Sequence, residues 1–246
     1  MKNLLYSALA ICAIALGFSA CSSDDDEVTE EKRYIQSPTP LEAIDLGLPS
    51  GTKWGNMNVG AENPTEFGEY FCWGDTVIRG EDWAENYKYN WANSPFNNGY
   101  KTFNQNYFEN NMLIYCPNGI LAERFDAATK ICGSEWRMPT EEEWKELSDN
   151  CIWEWTNSYK DYGVAGYIVY KDSVTKDNHI FLPAAGKRNS GSFVDGGKQG
   201  YYWSSTLYDE TKPWNVRSTY FRNNFIKTYD YPYQQYYGFT IRPIHK

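Results

Sequence analysis

Leu4 to Phe18 is apolar at every position except Ser7, and Lys2 stands just before it. The run is shorter than the roughly 20 residues that a bilayer-spanning helix needs. With the small residues Ser19 and Ala20 at its end, the pattern predicts a cleaved secretory signal over residues 1–20. The next segment is polar: Ser22-Ser23-Asp24-Asp25-Asp26-Glu27, more acidic residues up to Glu31, then Pro38-Thr39-Pro40. Residues 21–40 are too polar to bury anything and predict a solvated tether.

Residues 41–246 carry the mixed patterning of a folded domain, long enough for one hydrophobic core. Leu41–Leu46 and Thr52–Val59 predict short strands around a Leu48-Pro49-Ser50-Gly51 turn, and Gly68–Trp73 a third. Residues 75–121, where Trp83, Trp91, Pro95, Gly99 and Pro117 break any period, predict a long irregular insert, a kind of segment that is usually functional or partly ordered by small elements. Phe125–Ile131 has the spacing of a short helix ending at Gly133. Thr140 to Glu143 is a capping box after Pro139, with Trp144, Leu147 and Cys151 at helical spacing behind it. Strands are expected over Ile152–Thr156, Gly166–Lys171, His179–Pro183, Tyr201–Thr206, Trp214–Arg222, Phe225–Tyr229 and Gly238–Ile244. Both alternate faces of Trp214–Arg222 are mixed; placing Phe221 in the core turns Tyr220 and Arg222 outward. Two short helices followed by many antiparallel strands is an α+β layout.

Cys21 directly after Ser19-Ala20 resembles the lipobox of bacterial lipoproteins, in which that cysteine is lipidated and becomes the new N-terminus; an ordinary signal with a chance cysteine is the alternative. The acidic tract behind it resembles the export signal that carries lipoproteins of one Gram-negative phylum to the cell surface. The resemblance implies an outer-membrane lipoprotein, surface-exposed, held to the membrane by its lipid alone. Charge agrees: 23 Lys+Arg against 32 Asp+Glu give a net −9, unfavourable for nucleic acid, where basic side chains must neutralise phosphates, and for anionic membrane surfaces.

Five ordered motifs carry a further resemblance. They are Asp45-Leu46-Gly47-Leu48-Pro49-Ser50-Gly51-Thr52-Lys53-Trp54, Gly133-Ser134-Glu135-Trp136-Arg137-Met138-Pro139-Thr140, Phe181-Leu182-Pro183-Ala184-Ala185-Gly186, Gly200-Tyr201-Tyr202-Trp203-Ser204-Ser205-Thr206 and Tyr236-Tyr237-Gly238-Phe239-Thr240-Ile241-Arg242-Pro243-Ile244. Together they resemble the Fibrobacter succinogenes major paralogous domain family, from about Ala43 to the end of the chain. The Arg137-to-Trp144 run is similar, more distantly, to the formylglycine-generating-enzyme superfamily. The resemblance implies a C-type-lectin-like fold: two helices, twisted antiparallel sheets, and first and last strands paired. Arg137, Pro139, Thr140, Glu143, Gly238, Arg242 and Pro243 read as structural, the arginine forks pinning loops through carboxylate or carbonyl groups. Gly186, Gly200 and Gly238 mark positive φ or close backbone approach.

Chemistry finds little support. His179 and His245 accompany no nucleophile motif. Without a cysteine after Cys151, the thiol pair that the formylglycine-generating branch carries in its C-terminal part has no counterpart. Trp214-Asn215-Val216 lacks the carboxylate that calcium-dependent sugar binding uses. Cys72, Cys116, Cys132 and Cys151 show no C-x2-C spacing, so neither metal nor cofactor is expected and free thiols are preferred over disulfides. Composition instead stands out in 21 Tyr, 10 Trp and 12 Phe, residues that give contact area at low entropic loss. They crowd the stretch Trp203–Tyr237. Trp203, Tyr208, Trp214, Arg217, Tyr220, Arg222, Asn223, Asn224, Tyr229, Tyr231 and Tyr233 are the expected ligand-binding residues of a non-enzymatic, adhesin-like module for a glycan or protein. A subunit of a surface appendage is the alternative. A glycosidase using two of Asp195, Asp209 and Glu210 ranks last.

Overall fold

The computed structural model describes residues 40–80, 86–172, 174, 176–209 and 211–246, without the side chains of 229–231. The expected signal, the lipidation site Cys21 and nearly all of the tether lie outside the described residues. Few helices and several antiparallel sheets give a mixed fold in which strand predominates.

A hairpin, β1 (Ala43–Ile44) and β2 (Lys53–Gly55), opens the domain, its turn closed by the Gly51 N–H donating to Leu48 O at 2.9 Å. The final strand β12 (Ile244–His245) lies between β2 and β3 (Trp136–Arg137), so the ends of the domain share one sheet in the order β1-β2-β12-β3. β4 (Ile152–Thr156), β5 (Gly166–Tyr170) and β6 (His179–Pro183) form one meander. β9 (Gln199–Leu207), β10 (Asn215–Arg222) and β11 (Phe225–Gln234) form another, and β7 (Lys187–Asn189) with β8 (Ser192–Val194) make a small hairpin. The strands expected over Gly68–Trp73 and Gly238–Ile244 reduce to isolated bridges such as Phe71↔Phe239, apart from β12.

The insert is not irregular throughout. It holds α1 (Gln105–Tyr115), capped by Asn104, whose side chain accepts from the Tyr107 N–H at 3.0 Å. Only Phe108 of α1 is fully buried, which is why the helix leaves so faint a period in the sequence. α2 (Ala127–Cys132) starts after Asp126, whose carboxylate accepts from the Ala128, Thr129 and Met138 N–H groups and ties the helix to β3. α3 (Glu141–Asn150) has the expected capping box, and Glu143 also receives the Arg137 guanidinium through both nitrogens.

β9 divides two apolar clusters. Alternation sends Tyr201, Trp203 and Leu207 into one, with Phe71, Trp73, Phe96, Phe108 and Phe239, and Tyr202 into the other, with Trp54, Trp144, Leu182 and Phe221. Gly200 is required beneath Phe221, since a Cβ there would collide with its ring. β10 serves both clusters by plain alternation: Val216, Ser218 and Tyr220 face the first, and Thr219 and Phe221 the second. The pairing irregularities between Val216 and Tyr220 step by two residues, which leaves the alternation intact. Phe221 is core and Arg222 exposed, as expected, but Tyr220 is half-buried, because its face of β10 rests on the first cluster.

The residues after β11 alternate likewise. Phe239 and Ile241 enter the first cluster, whereas Thr240 and Arg242 turn into a polar seam. Arg242 is fully buried and donates to Asn58 Oδ1 (2.9 Å), Gly55 O (2.9 Å) and Phe181 O (2.6 Å). Burial draws its pKa down to about 10, still far enough above neutrality to leave it charged. The Tyr202 hydroxyl borders the same seam, donating to Pro183 O at 2.7 Å. The four described cysteines are free; Cys72 and Cys116 are buried, and burial pushes the Cys72 thiol up to about 12.

Arg242→Met leaves three buried acceptors without their donor. The expected cost is about 3 kcal/mol or more, read as a lower urea midpoint at unchanged slope.

Candidate functional site

The sheet β9–β10–β11 places Gln199, Arg222 and Phe225 side by side, as register partners across the three strands. Partners in register share a face, and this face is opposite to that of Phe221. Arg222 Cζ lies 5.5 Å from the centre of the Phe225 ring. The connecting turn is only Asn223-Asn224, with Asn224 at φ 59, a left-handed position that asparagine tolerates. These residues and Lys198 line an open groove of about 490 Å³.

Two residues along β10, Tyr220 leans on Phe225 (ring centres 5.8 Å apart) and on Tyr201 (5.0 Å). Tyr201, Tyr233 and Tyr237 then surround Lys187, whose Nζ is 4.4, 5.1 and 5.5 Å from their ring centres. Burial lowers the Lys187 pKa, and Asp195 partly opposes the shift. The Tyr201 hydroxyl donates toward Gln199 Oε1 (2.6 Å) and Asp195 Oδ2 (3.1 Å), and burial raises its pKa. From Tyr237 the rings continue through Tyr236 (4.7 Å) to Trp91 (5.0 Å) and Phe103 (5.0 Å), ending at Trp214, 5.9 Å from Phe103. The insert thus supplies two rings to an aromatic row that begins on the C-terminal sheet.

The expected ligand-binding residues divide among separate places. Arg222, Asn223 and Asn224 meet at the hairpin groove, Tyr220 and Tyr233 join the ring row, and Trp214 stands at its far end. Arg217 and Tyr208 form a different group: the guanidinium covers the Tyr208 ring at 4.3 Å and reaches Glu141 Oε2 at 3.1 Å, binding β10 to the start of α3. Trp203 is a correction. It is fully buried, stacked on Phe239 at 4.2 Å, with its indole N–H donating to Phe71 O at 2.7 Å. Its place in the alternation of β9, a strand with both faces covered, sends it inward. The side chains of Tyr229 and Tyr231 lie outside the described residues.

Sequence reasoning missed Lys187, Lys198, Gln199 and Phe225 as site residues. The one available signal was the position of Lys187, directly after the Phe181–Gly186 motif; β7 and β8 are three residues each, joined by Ser190-Gly191, too short for a period to mark them.

Asp195 precedes β9 and Asp209 follows it. About 30 Å of extended backbone lies between them, at opposite ends of one strand. Glu210 lies outside the described residues. The His179 ring pairs with the Tyr159 hydroxyl at 2.7 Å. Among the described residues, no three His, Cys, Asp or Glu side chains gather as a metal site. No protein-family model, curated protein or solved structure matches this chain.

Trp203→Ala is expected to cost about 3–5 kcal/mol, as for other buried aromatics, and Arg222→Ala no more than about 0.5 kcal/mol. Paired urea unfolding curves on the two variants separate core from surface.

Proposed function

We propose that this chain is a surface-displayed, lipid-anchored recognition module of C-type-lectin-like fold, a member of the paralogous family its motifs resemble, and that it grips a glycan or protein ligand rather than transforming one. The observation that carries the reading is the row of nine rings from Phe225 through Tyr220, Tyr201, Tyr233, Tyr237, Tyr236, Trp91 and Phe103 to Trp214, successive centres 4.7–5.9 Å apart. Most of these rings are only partly buried. Rings wedged against one another are already ordered, so a ligand laid on them costs little side-chain entropy.

Two further features support the reading. The last strand sits between the N-terminal hairpin and β3, the closure a lectin-like domain uses to present its later loops. The acidic tether behind Cys21 suits a domain held away from a membrane by a lipid.

The chain lacking residues 1–20, probed on a mixed glycan and protein array, is expected to bind a restricted set of features. Trp214→Ala combined with Tyr220→Ala is expected to weaken that binding at least roughly tenfold with an unchanged far-UV spectrum. Undiminished array binding by the double variant places the site off this face.

A further inference from the structure

We infer that the groove at the β10–β11 turn takes the acidic group of an anionic saccharide, an inference that rests on the recognition role above and names the ligand class of the same face. The chain as a whole is acidic, at net −9, yet the groove is lined by Lys198, Gln199, Arg222, Asn223, Asn224 and Phe225, two cations and three amides with no carboxylate. Among the described residues neither Lys198 nor Arg222 has an acidic side chain within ion-pair distance. Asp195, in the β8–β9 connection that also carries Lys198, is engaged by the Tyr201 hydroxyl and interacts with the Lys187 charge.

The donors suit an oxyanion. Arginine offers a planar fork that matches carboxylate and sulfate oxygens, and the Arg222 fork is carried over the Phe225 ring. Gln199 spends its carbonyl oxygen on the Tyr201 hydroxyl, which leaves its amide nitrogen as the end available to an acceptor. Asn223 and Asn224 are exposed and carry both donors and acceptors, as sugar hydroxyls require. Directly beside the groove on the same face stand the exposed Phe225 and the half-buried Tyr220, whose ring faces suit the apolar C–H side of a pyranose. An acidic peptide would use the two cations but would leave these rings and amides without a specific partner, so a saccharide is favoured.

The test uses the full chain in detergent micelles, titrated calorimetrically with four polymers: dextran, carboxymethyl-dextran, dextran sulfate and polyglutamate. Binding is expected for at least one anionic dextran, and whichever binds more tightly identifies carboxylate or sulfate as the recognised group. Neutral dextran and polyglutamate are expected to bind at least roughly tenfold more weakly. Lys198→Gln with Arg222→Gln should weaken the anionic dextran roughly tenfold or more, from the loss of charge-assisted bonds. Lys53→Gln with Lys101→Gln, which changes net charge equally at exposed sites elsewhere, should not. Equal binding of neutral dextran, equal loss in both double variants, or polyglutamate binding as tightly as the dextrans overturns the inference. Should array ligands still be lost with Trp214→Ala/Tyr220→Ala while no anionic preference is found, the recognition role stands and the acidic specificity falls. Should the array show no ligand at all, both fall.

Discussion

One buried cation organises this domain. Arg242 is held by a side-chain amide and two backbone carbonyls from segments far apart in the chain: Gly55 and Asn58 near its start, Phe181 in its middle. A charge taken out of water is costly unless every donor finds an acceptor. The geometry of Arg242 therefore selects one relative arrangement of the N-terminal hairpin, β6 and the closing strand. Looser packings of the same segments leave the guanidinium dry and unmatched. The aromatic face depends on this arrangement, because the segment bearing Arg242 also carries Phe239, on which Trp203, Tyr201 and Tyr233 rest.

From that seam outward, the site is a by-product of how β9 and β10 share two cores. β9 is covered on both faces, and it gives Tyr201 to the ring row only because its neighbours Tyr202 and Gly200 fit against Phe221. β10 is likewise covered on both faces, so Val216 serves one cluster and Phe221, on the opposite face, the other. The face that carries Val216 continues to Tyr220, half-buried at the rim of the first cluster, and ends at the exposed Arg222 by the hairpin turn.

Local signals in the sequence were legible where they were self-contained. The capping box at Thr140, the stop at Gly133, the strands at Ile152–Thr156 and His179–Pro183 and the structural role of Arg242 all follow from neighbours in the chain. The features that stayed hidden depend on partners distant in sequence. Trp203 has the composition of a binding residue, and only the cover supplied by Phe71 and Phe239 makes it core. α1 has a weak period because most of its side chains meet solvent. Lys187 and Lys198 flank a turn with no marked pattern, and their relation to Arg222 arises only when β9 lies beside β10. The candidate site was thus visible as a region, and as Arg222, Asn223 and Asn224 within it, but its cations and the rings donated by the insert were not.

The place of β12 has a kinetic consequence. Its strand lies between β2 and β3, and Arg242 just ahead of it makes contacts that span more than 180 positions. Until those closing residues are available, the opening hairpin and β3 lack the strand that joins them, and the seam has no cation. Topologies dominated by such distant pairings close slowly. The opening hairpin and β3 therefore cannot join into one sheet before Arg242 and β12 have emerged.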